Sequence, residues 1–317
     1  MATTLLTGPP DALLSEALQR FERQFSYPLG SDRRFCIDHR GDDRRFFQAL
    51  GEAVLAVQTE GGTVAGLVGA ALRTLVAPGG QERQVLYVGD LKISLEARGG
   101  RTLLRLIRLI QDWATPRAQA AYAIVMDGTA ATPADYTGRL GVPAFRAVAQ
   151  STLLWLRTDR PLPHVPDAVA VGAIEPDAGR ALLSYLAAGH HHAVGVDSAL
   201  RSALAPRWVC TPDGRGCAVL EDTRTAKRLV DLGGAEMRSA HLTCCARDAL
   251  TARELIGHGL SIAGELGYEM LFVAVAGSDV PLHQATFAQQ LLALAPLTVY
   301  AAGEWAPGPW LISSADI

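Results

Sequence analysis

The most regular alternation of side chains lies between residues 85 and 95, where every second residue from Val85 to Leu95 is apolar or glycine. That period of two is typical of a β-strand. The intervening residues change from apolar to polar at Asp90, so one face of the strand leaves the core there. After the glycines at 99 and 100 the period becomes helical, with a charged stripe opposite an apolar stripe as far as Pro116. The pattern predicts a strand, a glycine turn and a helix.

The junction between the predicted turn and helix is a candidate anion site. The first N–H groups of a helix have no partner inside the helix, and the helix dipole adds partial positive charge. Gly99 and Gly100 allow close approach of the backbone, and Arg98 and Arg101 add charge and donors. The alternative is an ordinary strand–helix connection with solvated arginines.

Hydrophobic periodicity divides the rest of the chain into two similar series around a proline-rich segment. The first series has helices at 11–25, 44–51 and 134–140 and strands at 34–38, 54–59, 63–76, 121–126 and 147–157. The second has helices at 179–188, 251–266 and 282–294 and strands at 217–222, 227–245, 270–276, 297–301 and 310–313. The order repeats, which indicates tandem halves. We predict domains at 1–158 and 169–317, joined by a linker at 159–168.

Composition excludes several classes of protein. A chain of 317 residues with a net charge of −3 lacks the basic field of a nucleic-acid-binding protein. No apolar run reaches the ~18 residues of a membrane span, and the N-terminus does not look like a signal peptide. Five cysteines without a disulfide pattern indicate a reduced, cytoplasmic protein. No spacing of histidine, cysteine and carboxylate predicts a metal site, because three adjacent histidines at 190–192 diverge.

The segment from Ile93 to Leu104, ISLEARGGRTLL, resembles the acyl-CoA motif of the GNAT-type N-acetyltransferases. Arg98 and Gly99 match that motif, whereas Leu95, Arg101 and Leu103 replace its usual proline and glycine or alanine positions. The region around Tyr136, YTGRLGVPAF, is similar to the tyrosine segment near the end of the family's fold. The order of the predicted elements is also that of the family.

This resemblance implies an α/β (α+β) fold of two GNAT-like domains, each a mixed, mostly antiparallel sheet flanked by helices. The second domain lacks the glycine turn, so it is expected to be a degenerate copy that packs on the first. The implied activity is that of an N-acyltransferase, and most simply an N-acetyltransferase. Such an enzyme moves the acyl group of acetyl-CoA or another acyl-CoA to a primary amine by direct attack in a ternary complex.

Candidate site residues follow from the same resemblance. Asp90 follows a strand glycine that predicts a bulge, and it is expected to receive the amine proton or bind the ammonium group. Tyr136 is the candidate acid for the leaving thiolate. The remaining candidates would hold acyl-CoA: Leu91, Lys92, Ile93, Arg98, Gly99, Gly100, Arg101, Thr102 and Leu103.

Two other functions fit the altered motif. One is an acyltransferase that takes its acyl group from an acyl carrier protein, which would dock on Arg98, Arg101, Arg105 and Arg108. The other is a non-catalytic protein that binds acyl-CoA or a partner. The expected acceptor is a small-molecule or peptide amine, with no nucleic-acid or membrane partner, and the chain is expected to be a monomer or a homodimer. One histidine of His190, His191 and His192 is a further candidate for lining the acceptor pocket.

Overall fold

A computed structural model describes residues 2–29, 33–128, 131–161 and 170–317. We call residues 2–161 the first half and residues 170–317 the second half. The strands of the first half are β1 (Ala2–Leu6), β2 (Tyr27–Leu29), β3 (Arg33–Asp38), β4 (Glu52–Glu60), β5 (Thr63–Val76), β6 (Glu82–Ile93), β7 (Ala121–Met126) and β8 (Arg146–Arg157). Its helices are α1 (Ala12–Glu22), α2 (Arg44–Gln48), α3 (Thr102–Ala114) and α4 (Pro133–Tyr136).

The described residues of the second half have the same numbers of strands and helices, and both halves end in the order helix, strand, helix, strand. Its strands are β9 (Gly172–Ala173), β10 (His192–Val194), β11 (Arg207–Cys210), β12 (Gly216–Glu221), β13 (Arg228–Asp231), β14 (Ser239–Ala246), β15 (Met270–Val275) and β16 (Leu291–Ala302). Its helices are α5 (Pro176–Leu186), α6 (Ser198–Arg201), α7 (Ala249–Glu265) and α8 (Val280–Thr286). No helix among the described residues is long and apolar enough to span a membrane.

One 13-stranded sheet contains strands from both halves, in the order β1-β4-β5-β6-β7-β16-β8-β15-β14-β12-β11-β9, with β10 paired to β5. Neighbours are antiparallel except for the β6–β7 and β14–β15 pairs, which are parallel. The last long strands of the two halves cross over, because β16 lies between β7 and β8, and β8 lies between β16 and β15. The mixed, mostly antiparallel α/β architecture predicted from the sequence is therefore confirmed.

Matching glycines show that the two halves repeat the same packing of a helix on a strand. A Cβ atom on Gly66 of β5 would lie 2.8 Å from Thr102 Cγ2 and 3.2 Å from Leu106 Cδ1, both on α3. A Cβ atom on Gly216 of β12 would lie 2.6 Å from Thr251 Cγ2 and 2.8 Å from Leu255 Cδ1, both on α7. In both halves a glycine lets a Thr-x-x-x-Leu helix face approach the sheet closely.

A buried network of ion pairs holds the segment around residue 316 against both halves. The Asp316 carboxylate accepts hydrogen bonds from Arg73 of β5 at 2.8 Å and from Arg201 of α6 at 2.6 Å. Arg201 also pairs with Glu221 of β12 at 2.7 Å, and both guanidinium side chains are 1% exposed. Two arginines and two carboxylates thus balance their charges inside the protein.

Three predicted elements of the second half were wrong. Residues 282–294 are the short helix α8 followed by the start of the long strand β16, because β16 pairs with β7 and β8. Residues 227–245 form two strands, and β13 pairs with β3 in a separate three-stranded sheet. Residues 310–313 make only an isolated bridge between Trp310 and His191. Residues 162–168 of the predicted linker lie outside the described residues, and the domain boundaries stay a prediction.

Candidate active site

The bulge predicted at the glycine of the central strand is present in β6. The pairing of β6 with β5 shifts register between Gly89 and Lys92, which pair with Gly69 and Leu67. Asp90 lies in this bulge with a φ angle of +50°, in the left-handed region. Aspartate tolerates this conformation better than most residues, at a cost of about 1 kcal/mol or more. The bulge directs the Asp90 side chain into a cavity that it lines.

Just before the bulge, β6 separates from its parallel neighbour β7. The two strands pair only at Leu86 with Ala121 and at Tyr87 with Tyr122. The corresponding strands of the second half, β14 and β15, stay paired over four residues. The main-chain N–H of Ser94 donates to β5, so the main-chain groups of Ile93, one residue earlier, point away from β5 and toward the gap. The main-chain groups of Lys92 point toward β5 by the same alternation.

A cavity of about 700 Å³ passes through the gap between β6 and β7 and reaches both faces of the sheet. On one face its wall includes Leu86 and Ile110, which pack in the cluster around α3. On the other face its wall is largely aromatic and includes Phe46, Tyr87 and Trp155, which pack in the central core. The lining is mainly apolar, with a few polar groups that include Asp90, Asp127, Tyr136, Lys227 and His241.

The start of α3 is open to a ligand in a way that the start of α7 is not. The residue before α3 is Arg101, whose side chain makes no cap, and among the described residues the N–H groups of Thr102, Leu103 and Leu104 donate to no acceptor. In α7 the carboxylate of Asp248 accepts from the N–H of Thr251 at 2.8 Å and thus occupies the equivalent position. The absence of a glycine turn in the second half therefore coincides with a helix start that is capped by its own chain.

Asp90 borders a buried polar cluster formed with α1 and the segment before α2. Its Oδ2 lies 3.2 Å from His39 Nε2, and its Oδ1 lies 3.7 Å from Lys92 Nζ. His39 Nδ1 is 2.6 Å from Glu22 Oε1, and the main-chain N–H of His39 donates to Glu22 Oε2 at 3.1 Å. Lys92 also donates to Glu22 at 3.1 Å. Asp43 lies on the other side of His39, with Oδ2 3.7 Å from Nδ1.

The charges of this cluster determine its pKa values. Burial alone would raise the pKa of Glu22, but His39 and Lys92 outweigh it and lower that pKa to about 2. Burial also opposes ionisation of Asp90, whose pKa is nevertheless lowered by Lys92 and His39. Burial and the Glu22 charge raise the pKa of Asp43 to about 7. Asp90 is therefore an anion at neutral pH.

The same cluster is the only group of side chains among the described residues with spacing that could suit a metal ion. Ligand atoms of Glu22, His39 and Asp43 lie within 4.8 Å of one another. The Lys92 ammonium, however, lies 3.1 Å from Glu22 Oε1 and 3.7 Å from Asp90 Oδ1, and it supplies positive charge to this cluster. This charge balance gives no reason to place a metal ion there.

Tyr136 and Lys227 are further ionisable groups on the cavity wall. Tyr136 ends α4, and burial raises the pKa of its phenol to about 12, so it carries its proton at neutral pH. Burial lowers the pKa of Lys227 to about 8. Its ammonium lies 4.2 Å from the centre of the Phe46 ring and donates to the main-chain oxygen of Ile317.

The predicted residues occupy two places in the structure. Asp90, Leu91 and Tyr136 line the cavity, while the 98–101 turn is exposed and is not among the described residues that line it. Thr102 is buried, and its hydroxyl accepts from Gln58 at 2.8 Å. None of His190, His191 and His192 is among the described residues that line the cavity, and a histidine in the acceptor pocket stays a prediction. His191 instead packs against Trp305 and Trp310 because the 190–192 segment bridges to the segment around residue 310.

Sequence reasoning missed Glu22 and His39. Glu22 lies four residues after Leu18 and one after Phe21, on the buried face of α1. A carboxylate on an apolar helix face requires a buried partner, and this was the available signal. His39 gave no comparable signal, because its partners lie 17 and 51 residues away in the chain.

No family model and no curated protein matches this sequence. Solved structures share its fold. N-myristoyltransferase of Saccharomyces cerevisiae with bound myristoyl-CoA aligns in two structures with TM-scores of 0.63 and 0.65 at 10% identity, over 95% and 99% of this chain and 82% of the other. A GCN5-related N-acetyltransferase from Kribbella flavida aligns with a TM-score of 0.51 at 12% identity, over 95% of this chain and 70% of the other. The predicted GNAT fold is thereby confirmed.

Proposed function

We propose that this protein is an N-acyltransferase that moves an acyl group from acyl-CoA to a primary amine by direct attack in a ternary complex. The observation that carries the proposal is the cavity through the β6–β7 gap, with Asp90 and Tyr136 on its wall. A thioester in the gap and an amine arriving from the opposite face would meet beside Asp90. Holding the two reactants in this way contributes up to ~7–11 kcal/mol in well-oriented reactions.

The donor would lie along β6 and over the start of α3. The main chain of Ile93 faces the gap, where it can pair with the amide groups of a pantetheine arm. The open N–H groups at the start of α3 suit a diphosphate, and Arg98 and Arg101 are exposed beside them. Leu91, Gly99, Gly100, Thr102 and Leu103 complete the proposed donor site. The main chain of Lys92 pairs with β5 and its ammonium is buried against Glu22, so Lys92 would support this site only through Asp90.

Asp90 and Tyr136 have complementary states at neutral pH for this reaction. Asp90 is an anion that can bind an ammonium group and receive its proton. Tyr136 is a neutral phenol that can protonate the leaving thiolate. In this proposal Asp90 is the proton acceptor and Tyr136 the proton donor along one cavity.

The size and lining of the cavity favour an acyl group longer than acetyl. A volume of about 700 Å³ lies within the ~300–1,000 Å³ range of pockets for drug-sized ligands, and an acetyl group would leave most of it unfilled. The fold relative from yeast was solved with bound myristoyl-CoA. We therefore propose a medium- or long-chain acyl-CoA as the donor, in place of the acetyl-CoA that the sequence resemblance favours.

Calorimetric titration with CoA, acetyl-CoA, octanoyl-CoA and myristoyl-CoA tests the donor. We expect affinity to rise with chain length and to fall about tenfold or more in Arg98→Ala, because a hydrogen bond to a charged group contributes roughly 1.5–3 kcal/mol. Arg207→Ala is the matched control, because Arg207 is an exposed arginine on β11, far from β6 in the sheet. If the wild type binds none of the four compounds, the acyl-CoA proposal is refuted.

A carrier-protein donor is the second candidate, because Arg98, Arg101, Arg105 and Arg108 are all exposed on the turn and on α3. It predicts transfer from an acyl carrier protein with little or no binding of free CoA. A non-catalytic acyl-CoA-binding protein would instead bind in the titration and transfer nothing to any amine.

A further inference from the structure

His39, 3.2 Å from Asp90, and Glu22, which pairs with His39, are buried ionisable groups that the proposed reaction does not yet use. Their side chains are 0% and 2% exposed, and neither is among the described residues that line the cavity, so neither would touch a substrate. Asp90 is the member of the cluster that reaches the cavity, with 16% of its side chain exposed. Any effect of His39 on a reaction must therefore pass through Asp90.

The contacts of His39 determine which of its two ring nitrogens carries a proton. Nδ1 lies 2.6 Å from Glu22 Oε1, and an ionised carboxylate can only accept, so Nδ1 carries a proton. Nε2 lies 3.2 Å from Asp90 Oδ2 without hydrogen-bond geometry, and it has no hydrogen-bond partner among the described residues. A second proton on the ring would thus lie at Nε2, facing Asp90.

We propose, on the basis of the acyl transfer proposed above, that Glu22 and His39 form a proton relay behind Asp90, which takes up the proton that the amine must lose before it attacks. His39 is a positioning residue in this relay, because it holds the proton without touching the substrate. Glu22 fixes the tautomer and stabilises the imidazolium that forms.

The relay balances every proton of the transfer. In the accepting form Asp90 is a carboxylate and His39 is neutral. The N–H bond of the substrate ammonium breaks, its electron pair stays on nitrogen, and the proton passes through Asp90 Oδ2 to form an N–H bond at His39 Nε2. The amine then attacks the thioester carbon, and the C–S bond breaks with the electron pair on sulfur. Tyr136 protonates that sulfur. It then takes back a proton from the attacking nitrogen, which loses its second proton as the amide forms, and His39 releases its proton to solvent.

The surrounding charges set the pH at which the relay accepts a proton. Burial alone disfavours the imidazolium, but the carboxylates of Glu22, Asp43 and Asp90 outweigh it and raise the pKa of His39. The other charged groups that face the cluster are Lys92 of β6 and Lys227, which acts on Asp90 and Lys92. Tyr27 also faces it, but burial raises the pKa of its phenol to about 12, so Tyr27 is neutral. A cationic amine beside Asp90 would replace the imidazolium as its counter-ion, and this favours the neutral, accepting form of His39.

NMR titration of the imidazole signals tests the interaction of Glu22 with His39 without any substrate. The signal of His39 is identified as the one that His39→Gln removes. We expect Glu22→Gln to lower the pKa of His39 by about one unit or more, since it removes the nearest negative charge. Glu16→Gln is the matched control, because Glu16 is an exposed glutamate on the same helix, and it should change nothing. If Glu22→Gln does not fold, Asp43→Asn removes another carboxylate and should shift the pKa in the same direction.

The pH profile of kcat/KM tests the role of the Glu22–His39 relay in acyl transfer. We expect the acidic limb in Glu22→Gln to move to lower pH by the same amount as the His39 pKa. His39→Gln should lose the limb and about 100-fold or more of kcat, with acyl-CoA affinity unchanged. An unchanged His39 pKa in Glu22→Gln, or a limb that stays in place while that pKa moves, would overturn the relay. If the wild type transfers no acyl group although Glu22→Gln lowers the His39 pKa, the proposed function is refuted, whereas the interaction of Glu22 with His39 is supported.

Discussion

The charge network around Asp316 yields the most direct test of how the two halves are joined. Asp316→Asn keeps the size of the side chain but removes the negative charge shared by Arg73 and Arg201, each 1% exposed. The variant would leave two buried guanidinium groups opposite the single carboxylate of Glu221. Breaking a buried pair in this way typically costs ~3–5 kcal/mol, because one charge is left without compensation.

The pKa of Asp316 gives a second value for the same interaction. Burial alone would raise that pKa, but Arg73 and Arg201 lower it from 3.8 to about 2. Linkage converts this difference into about 2.5 kcal/mol of stability at neutral pH. Because the folded-state pKa is the lower one, this stability is present above about pH 4 and is lost as the pH falls toward 2. The two values agree within a factor of two.

Denaturant unfolding at pH 7 and at pH 3 measures both quantities. We expect Asp316→Asn to lose ~3–5 kcal/mol at pH 7 and about 1 kcal/mol less at pH 3, where the carboxylate has lost roughly half of its pH-dependent contribution. Asp177→Asn is the control, since Asp177 pairs with Arg180 on the surface of α5 and is 95% exposed, and it should leave the stability unchanged. A loss below about 1 kcal/mol for Asp316→Asn, or a loss that does not depend on pH, would refute the reasoning.

Two further predictions concern packing and a buried cation at the cavity. Gly69→Ala should destabilise the protein by ~1–3 kcal/mol, because its Cβ atom would lie 2.0 Å from the Phe47 ring. Gly257→Ala in α7 has open space for the Cβ atom and should stabilise the protein by ~0.5–1 kcal/mol. Thermal unfolding of both variants tests these values. For Lys227, burial lowers the pKa from 10.5 to about 8, so the unfolded chain binds its proton more tightly. The wild type should therefore gain about 3 kcal/mol of stability relative to Lys227→Met between pH 8 and 10.5 in denaturant titrations, and an equal pH dependence in both would contradict the buried charge.

The sequence predicted the elements whose pattern is local. The strand, bulge and helix around Asp90 follow from alternation, a strand glycine and a helical stripe, and each is present. The strand β16 was missed because a run of apolar residues such as Leu291–Ala302 fits a helix or a strand equally well. Its pairing with β7 and β8 decides the outcome, and these partners are more than 100 residues away in the chain.

The same limit explains which part of the site was predicted. Asp90 and Tyr136 lie in segments with a recognisable pattern, whereas Glu22 and His39 meet Asp90 only when α1 and the segment after β3 pack on the sheet. The single local sign was a carboxylate on the apolar face of α1. A charged residue at a buried helical position indicates that a partner exists, but the pattern of one segment does not identify that partner.

The crossing of β8 and β16 gives the second half a part in the site even though its own helix start is capped. On the face opposite α3, the second half contributes Lys227, His241 and Phe272 to the cavity wall. Trp155 of β8 packs on Phe272 of β15 with ring centres 4.7 Å apart, so the strand that leaves the first half forms this wall together with the second. In the proposed reaction, the donor side would therefore depend on the first half, and the acceptor side would require both halves. Changes in the second half should alter the choice of amine before they alter the binding of acyl-CoA.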